Sequence, residues 1–147
     1  MRTLTAGPSV PAVVGEFEAV ARIFVGGVLL TAGLAKWRLG MRTFAIAIQG
    51  YGILPQRTPA TAARAIVASE IAIGACLIAD VGEQGAAVAG ASMLLAFAGA
   101  MAVTLVRGIA ADCGCALFVK SERIRWRLVI RNLALAASLM PLIFGSR

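Results

Sequence analysis

The sequence predicts an all-α integral membrane protein, a four-helix bundle with a short interfacial helix after the first span. Composition is the first reason. Of 147 residues, 60% are hydrophobic and only 14% charged, with mean hydropathy +0.88, far from the balance of a soluble domain. The second reason is that four segments are long and apolar enough, or nearly so, to cross about 30 Å of hydrocarbon, which takes about twenty residues of helix. The third is that the basic residues gather in two of the three connections between them. The spans take more than half the chain and leave no room for a second soluble domain. Residues 1–18 therefore read as a tail and residues 19–147 as one four-span transmembrane domain.

The elements follow in order. Met1 to Gly15 contains Pro8, Pro11 and a single basic residue, and has no charged start, short apolar run and small-residue cleavage site of a removable signal peptide. The first span, Ala19 to Lys36, is accordingly expected to stay in the mature protein. After Trp37 and Arg38, the stretch Met41 to Leu54 alternates apolar with small and polar residues and is too short to cross. It reads as an interfacial or re-entrant helix ending at Leu54-Pro55, because proline disfavours helix in the residue before it. The second span runs from Ala62 to Ala79, the third from Gly85 to Val106 and the fourth from Leu128 to Phe144. The spans are rich in small residues, as in Gly26-Gly27, Gly33, Gly74-Ala75 and Ala86 to Ala91, which let helices approach closely where lipid supplies no hydrophobic drive. Trp37 and Trp126 flank spans on the basic side, as headgroup-level anchors do.

Charge predicts orientation. Lys36, Arg38, Arg42, Arg57 and Arg64 surround the first connection. Arg107, Lys120, Arg123, Arg125, Arg127 and Arg131 surround the third, while the second holds only Asp80 and Glu83. Basic connections stay cytoplasmic, so the termini and the acidic turn are expected outside a bacterial inner membrane. The flanking cations also suit anionic lipid headgroups. A nucleic-acid partner is not expected, since no basic patch is interleaved with aromatics or carried on a soluble fold.

The chain contains no histidine and three cysteines. Imidazole-ligated haem, His-based metal sites, Ser-His and Cys-His dyads are excluded within it, as is a four-thiolate zinc or iron–sulfur site in a monomer. No metal site is expected. Sulfur redox chemistry remains, through Cys113 and Cys115 in the third connection. A bridge between residues two apart gains little loop entropy, so a stabilising role is improbable. Small strained rings are more oxidising, and Gly114 permits the tight backbone. Nearby cations favour thiolate, the nucleophilic form. The alternatives are two inert thiols in a turn, or a two-thiolate site for a soft ion such as Cu(I). Cys76, inside the second span, reads as a packing residue.

Charge inside the membrane is the second signal. Glu70 lies six residues beyond Arg64, roughly 9 Å deeper into the second span, where a carboxylate is costly unless paired or protonated. Lys36, Arg131 and Asn132 lie at the same basic end. If they converge on Glu70, they form a polar pocket beneath the cysteine loop, suited to tuning a thiol, relaying a proton or holding a polar headgroup. A buried ion pair that only fixes bundle geometry is the structural alternative. Glu18 and Arg22, four apart on one helical face, are expected to pair locally.

Several short segments then carry a family resemblance. Gly33-Leu34-Ala35-Lys36, the stretch Phe44 to Pro55 ending Tyr51-Gly52-Ile53-Leu54-Pro55, Glu70 followed by Gly74, Cys113-Gly114-Cys115 followed by Phe118, and Arg131-Asn132-Leu133 resemble the MauE family of methylamine-utilisation membrane proteins, related to DoxX. The resemblance runs from about Arg22 onward. One departure is Ala116-Leu117 after the second cysteine, where a Phe-Gly pair is common in that family. The resemblance implies a four-helix membrane protein that assists maturation of a periplasmic, disulfide-rich dehydrogenase by thiol–disulfide exchange, whereas the charge pattern puts the cysteines in the cytoplasm.

The functional expectation is an inner-membrane redox-accessory protein, a possible thiol–disulfide oxidoreductase. Cys113 and Cys115 would exchange a disulfide with a protein partner while Lys36, Glu70, Arg131 and Asn132 shape the pocket. Whether electrons pass to a quinone cofactor is left open. The alternative is a non-catalytic small subunit packed into a larger membrane complex. A transporter finds less support, because a single intramembrane carboxylate and no broken-helix repeat offer little for a substrate path.

Overall fold

The computed structural model describes residues 10–52, 59–109 and 124–145. Among these the regular structure is all helical, forming α1 (Val10–Leu39), α2 (Met41–Gly50), α3 (Pro59–Ala79), α4 (Glu83–Val106), α5 (Trp126–Ser138) and α6 (Met140–Phe144). Four stretches are long and apolar enough to cross a membrane: Gly15–Leu39, Ala60–Ala79, Glu83–Val106 and Trp126–Phe144. They correspond to the four expected spans, each extended by a few residues. α1 extends furthest, because Pro11 falls in its first turn, where a missing N–H is tolerated.

Left-handed backbone punctuates the elements. Gly40 at φ 98° separates α1 from α2, and Gly52 at φ 64° follows the last turn of α2. The Gly52 N–H donates to the Gln49 carbonyl at 3.0 Å, as a glycine stop after a helix does. The interfacial helix therefore ends at Gly50, before Leu54-Pro55, which lies outside the described residues. The α3–α4 turn uses Asp80 and Gly82, both at φ 59°, and aspartate is one of the few side chains that accept this region. In the last span, Pro141 removes one backbone donor, and the helix breaks at Leu139 into α5 and α6.

Packing begins with α1 against α3, which run antiparallel at close range. A Cβ placed on Gly74 would lie 2.7 Å from the Leu30 nitrogen and 2.8 Å from the Gly26 oxygen, and one on Gly33 would lie 2.8 Å from Ile71 Cγ1. Only glycine permits backbones this near, as in small-residue membrane interfaces generally. α4 packs on α5 and α6, and Val25, Leu29, Leu77, Leu94, Leu135 and Leu139 fill the space between the two pairs. α2 lays Phe44 and Ile48 onto Ala63 and Val67 of α3, while Ile46 faces outward. That is the one-sided pattern of an interfacial helix. Three hydroxyls within the spans bond their own helix, Thr31 to Gly27 at 2.7 Å, Ser69 to Ala65 at 2.8 Å and Thr104 to Ala100 at 2.8 Å, so these carry no unmet polarity into the hydrocarbon.

Arg22 does not pair with Glu18. Its Nη1 reaches Asp80 Oδ1 at 2.5 Å, because the tight α1–α3 contact delivers the α3–α4 turn to that face of α1. Glu18 instead lies beside the end of α6, its Oε1 3.0 Å from where a Cβ on Gly145 would sit.

Candidate functional site

The deepest polar group is the pair Lys36–Glu70. Lys36 closes the last turns of α1 and Glu70 lies midway along α3. The Gly33 contact explains why they meet. With no side chain there, α1 comes to rest against the Cβ of Glu70, one turn before Lys36. The Lys36 ammonium donates to Glu70 Oε1 in a salt bridge whose side chains are 3% and 1% exposed. Two aromatic faces cover the same ammonium, Phe44 of α2 at 5.0 Å from the ring centroid and Phe97 of α4 at 5.3 Å. Such contacts contribute about 0.5–2 kcal/mol each, more when desolvated. The charge is thus compensated from three helices, which is what a cation in hydrocarbon requires.

Asn132 comes from α5 and is 4% exposed, and Arg131 beside it is exposed. Lys36, Glu70, Arg131 and Asn132 all line one cavity of about 160 Å³ between α1, α3, α4 and α5, whose remaining wall is apolar and includes Val28, Leu94, Phe97 and Leu135. Two buried polar atoms in this wall have no hydrogen-bond partner among the described residues, Glu70 Oε2 and Asn132 Nδ2. One is an acceptor and the other a donor. A buried group left in this condition costs about 1–3 kcal/mol, more if charged, and both atoms are sealed within the packed wall rather than on the open surface of the chamber.

Cys113 and Cys115 lie outside the described residues. The flanks of their segment are described: Ile109 and Ile124 pack into one apolar cluster with Met101, Leu128 and Tyr51. Both ends of the connection are thereby held near the end of α2, on the Lys36 side of the bundle. Cys76 is a free thiol, half-buried against the main core, and makes no part of the cavity. Sequence reasoning missed Phe44 and Phe97 as partners of Lys36. Both read as ordinary apolar residues, and no local pattern marks a ring that will face a cation from another helix.

Four apolar spans closed over a buried ion pair define a multi-pass helical membrane protein with a polar chamber inside the bundle. Residues 14–145 match the family described as methylamine utilisation protein MauE. A relative from Paracoccus denitrificans, named methylamine utilization protein MauE, is 32% identical over 125 residues, covering 84% of this chain and 67% of the relative. A protein of the same name from Paracoccus versutus is 33% identical over 127 residues, covering 82% and 68%. The chain belongs to the MauE family. No solved structure matches it at a significant level.

Proposed function

We propose that this protein is an inner-membrane accessory factor that exchanges a disulfide with a partner protein through Cys113 and Cys115, and that the methylamine utilisation named for its relatives is the setting in which that partner matures. The observation that carries the reading is the pair of cysteines one glycine apart, in a connection whose two ends are anchored in a single apolar cluster. Ile109 and Ile124 bring the two ends of that connection together, and Gly114 is the residue type a small disulfide ring requires. In the exchange, a Cys thiolate attacks a sulfur of the partner disulfide and forms a mixed disulfide. The second cysteine then resolves it, leaving the partner with two thiols and this chain with the new S–S bond; the reverse sequence oxidises the partner. Lys36, Glu70, Arg131 and Asn132 form the polar chamber of the same half of the bundle. The resemblance implies a periplasmic dehydrogenase as the partner; exchange with it requires the cysteine loop on the periplasmic face, opposite to the side that the basic connections favour, and the labelling below decides between the two.

A second reading is favoured by one feature of α4. Gly85, Ala89, Ser92, Ala96 and Gly99 recur at intervals of four and three on its exposed face, and a Cβ on Gly85 or Gly99 would meet nothing within 4 Å. A smooth small-residue face suits another membrane helix, as in a non-catalytic subunit of a larger complex.

Thiol trapping in intact cells tests both, with a membrane-impermeant maleimide on a Cys76→Ser variant. Labelling that appears only after reduction supports an accessible disulfide on the periplasmic side. Free thiols that label only in permeabilised cells, together with an unaffected partner enzyme in Cys113→Ser or Cys115→Ser strains, would sink the exchange role and leave the subunit reading.

A further inference from the structure

We propose that the chamber takes one acyl tail of an anionic phospholipid, held upright between α1 and α5 with its phosphate at Arg127 and Arg131. The inference rests on the chamber and its rim and does not require the cysteine chemistry. Shape is the first argument. On α1 the chamber is lined by Phe24, Val28, Ala32 and Lys36, each four residues from the last, so it runs about 18 Å along that helix. Its volume is about 160 Å³, and an apolar protein cavity of about 150 Å³ accommodates a six-carbon ring. A similar volume drawn out over three helical turns is a slot for an alkyl chain rather than a pocket for a ring. The unmet polar atoms of Glu70 and Asn132 are sealed in its wall, and the Lys36 ammonium is engaged by Glu70 and two rings, so the slot calls for no polar head inside it. Access is the second argument. α1 packs on α3 and α5 packs on α4, while α1 and α5 form no extensive contact of their own. Phe24, 62% exposed, and Arg131, also exposed, both belong to the wall. The slot therefore opens sideways, between two spans, toward lipid. An acyl tail enters it from the bilayer without crossing water, and the second tail of the same lipid stays outside.

Charge at the rim selects the head and its direction. Trp126 opens α5 and is 55% exposed, as an indole at headgroup depth is. Arg127 and Arg131 follow it, both exposed and four residues apart on one face of the helix. Side chains on a helix lean toward its N-terminus, which in α5 is the membrane surface, so a long Arg131 side chain rises from the slot to that level. Among the described residues neither arginine forms a salt bridge, so both are available to a phosphate. The far end of the bundle carries Glu16, Glu18, Asp80 and Glu83, which repel one. The head therefore sits at Arg127 and Arg131 and the tail descends along α1 toward Phe24. A zwitterionic head brings its own ammonium to the two guanidinium groups, which favours a lipid of net negative charge.

The test is phospholipid binding by the delipidated full chain in detergent, titrated with dioleoylphosphatidylglycerol and read by native mass spectrometry. One lipid is expected to bind about tenfold more tightly than a second, and about tenfold more tightly than dioleoylphosphatidylcholine or dioleoylglycerol, the scale set by two arginines near a phosphate. Ala32→Phe, which puts a ring into the slot, should lose roughly tenfold in that first affinity. Leu95→Phe, on the outward side of α4, should leave it unchanged. Arg127→Gln combined with Arg131→Gln should bring phosphatidylglycerol down to the level of phosphatidylcholine. Both arginines are exposed, so this variant keeps its unfolding midpoint and carries the test even where Ala32→Phe does not fold. A Cys113→Ser/Cys115→Ser variant should bind as the parent does, which separates this inference from the exchange role. Several lipids held with equal strength, equal binding of phosphatidylcholine or dioleoylglycerol, or unchanged binding in a folded Ala32→Phe or in the arginine variant overturns the proposal.

Discussion

Lys36 and Glu70 meet where neither is tolerated alone. Their contact lies in a region where each ion loses several kcal/mol of hydration, offset by the salt bridge and by the Phe44 and Phe97 rings. Removing one partner strands the other. Lys36→Met is therefore expected to cost about 3–5 kcal/mol, whereas Lys36→Met combined with Glu70→Met should recover most of the loss. Thermal unfolding in detergent compares them, and equal midpoints for the single and double variants would rule the pair out as the source. Arg22 and Asp80 make the contrast. The Asp80 side chain is 51% exposed at a turn whereas that of Arg22 is 13% exposed, so solvent screens this pair from one side, and Arg22→Ala should cost less than Lys36→Met, by an amount that shrinks at high salt. Glu70 was legible as an anomaly from the sequence, because a carboxylate amid apolar residues always requires a partner. Which of Lys36 and Arg131 supplies it was not legible, since the choice depends on how close α1 and α5 come to α3.

Helix contact explains that choice. α1 reaches α3 through Gly26, Gly33 and Gly74, so the residue one turn beyond Gly33 is carried to Glu70, while α5 is held off on α4. Gly74→Ala would press a methyl within 2.7 Å of the Leu30 backbone nitrogen. Backbone cannot yield as a flexible side chain does, so the expected cost is about 1–3 kcal/mol. Gly99→Ala, with open space around its Cβ position, should be neutral or stabilise by up to about 1 kcal/mol through helix propensity in an isolated chain. If Gly99→Ala instead impairs assembly in cells while leaving the purified chain intact, the exposed small face of α4 is occupied by a partner. Composition announces small residues in every span but does not distinguish buried ones such as Gly74 from outward ones such as Gly99. That distinction belongs to the rotation of each helix about its own axis. In lipid the outer face is as apolar as the core, so no contrast between polar and apolar faces marks which side turns inward.

At the scale of the whole molecule, the described residues form four spans arranged as two tight pairs, with a chamber where the pairs diverge. The pairing sets both the depth of the ion pair and the lateral opening beside Phe24 and Arg131. The basic connections carry an expectation of orientation that labelling tests: in a background without native cysteines, Val81→Cys in the acidic turn is expected to label with impermeant maleimide in intact cells, and Arg38→Cys only after permeabilisation. The opposite result would invert the protein and place the segment containing Cys113 and Cys115 outside the cell. That segment gives the family resemblance its chemistry, yet the described residues reach only its anchors, Ile109 and Ile124.

Membrane class, four spans and an interfacial helix after the first are consequences of length and apolarity, which act on each segment independently and so can be read one segment at a time. The anomalous Glu70 and the cysteine pair belong to the same kind of information. The partners of Glu70, the aromatic cover over Lys36, the switch of Arg22 from Glu18 to Asp80 and the chamber with its two orphan atoms arise from distances between helices. Those distances depend on which glycines face each other across a contact, a property of pairs of segments that no single segment carries.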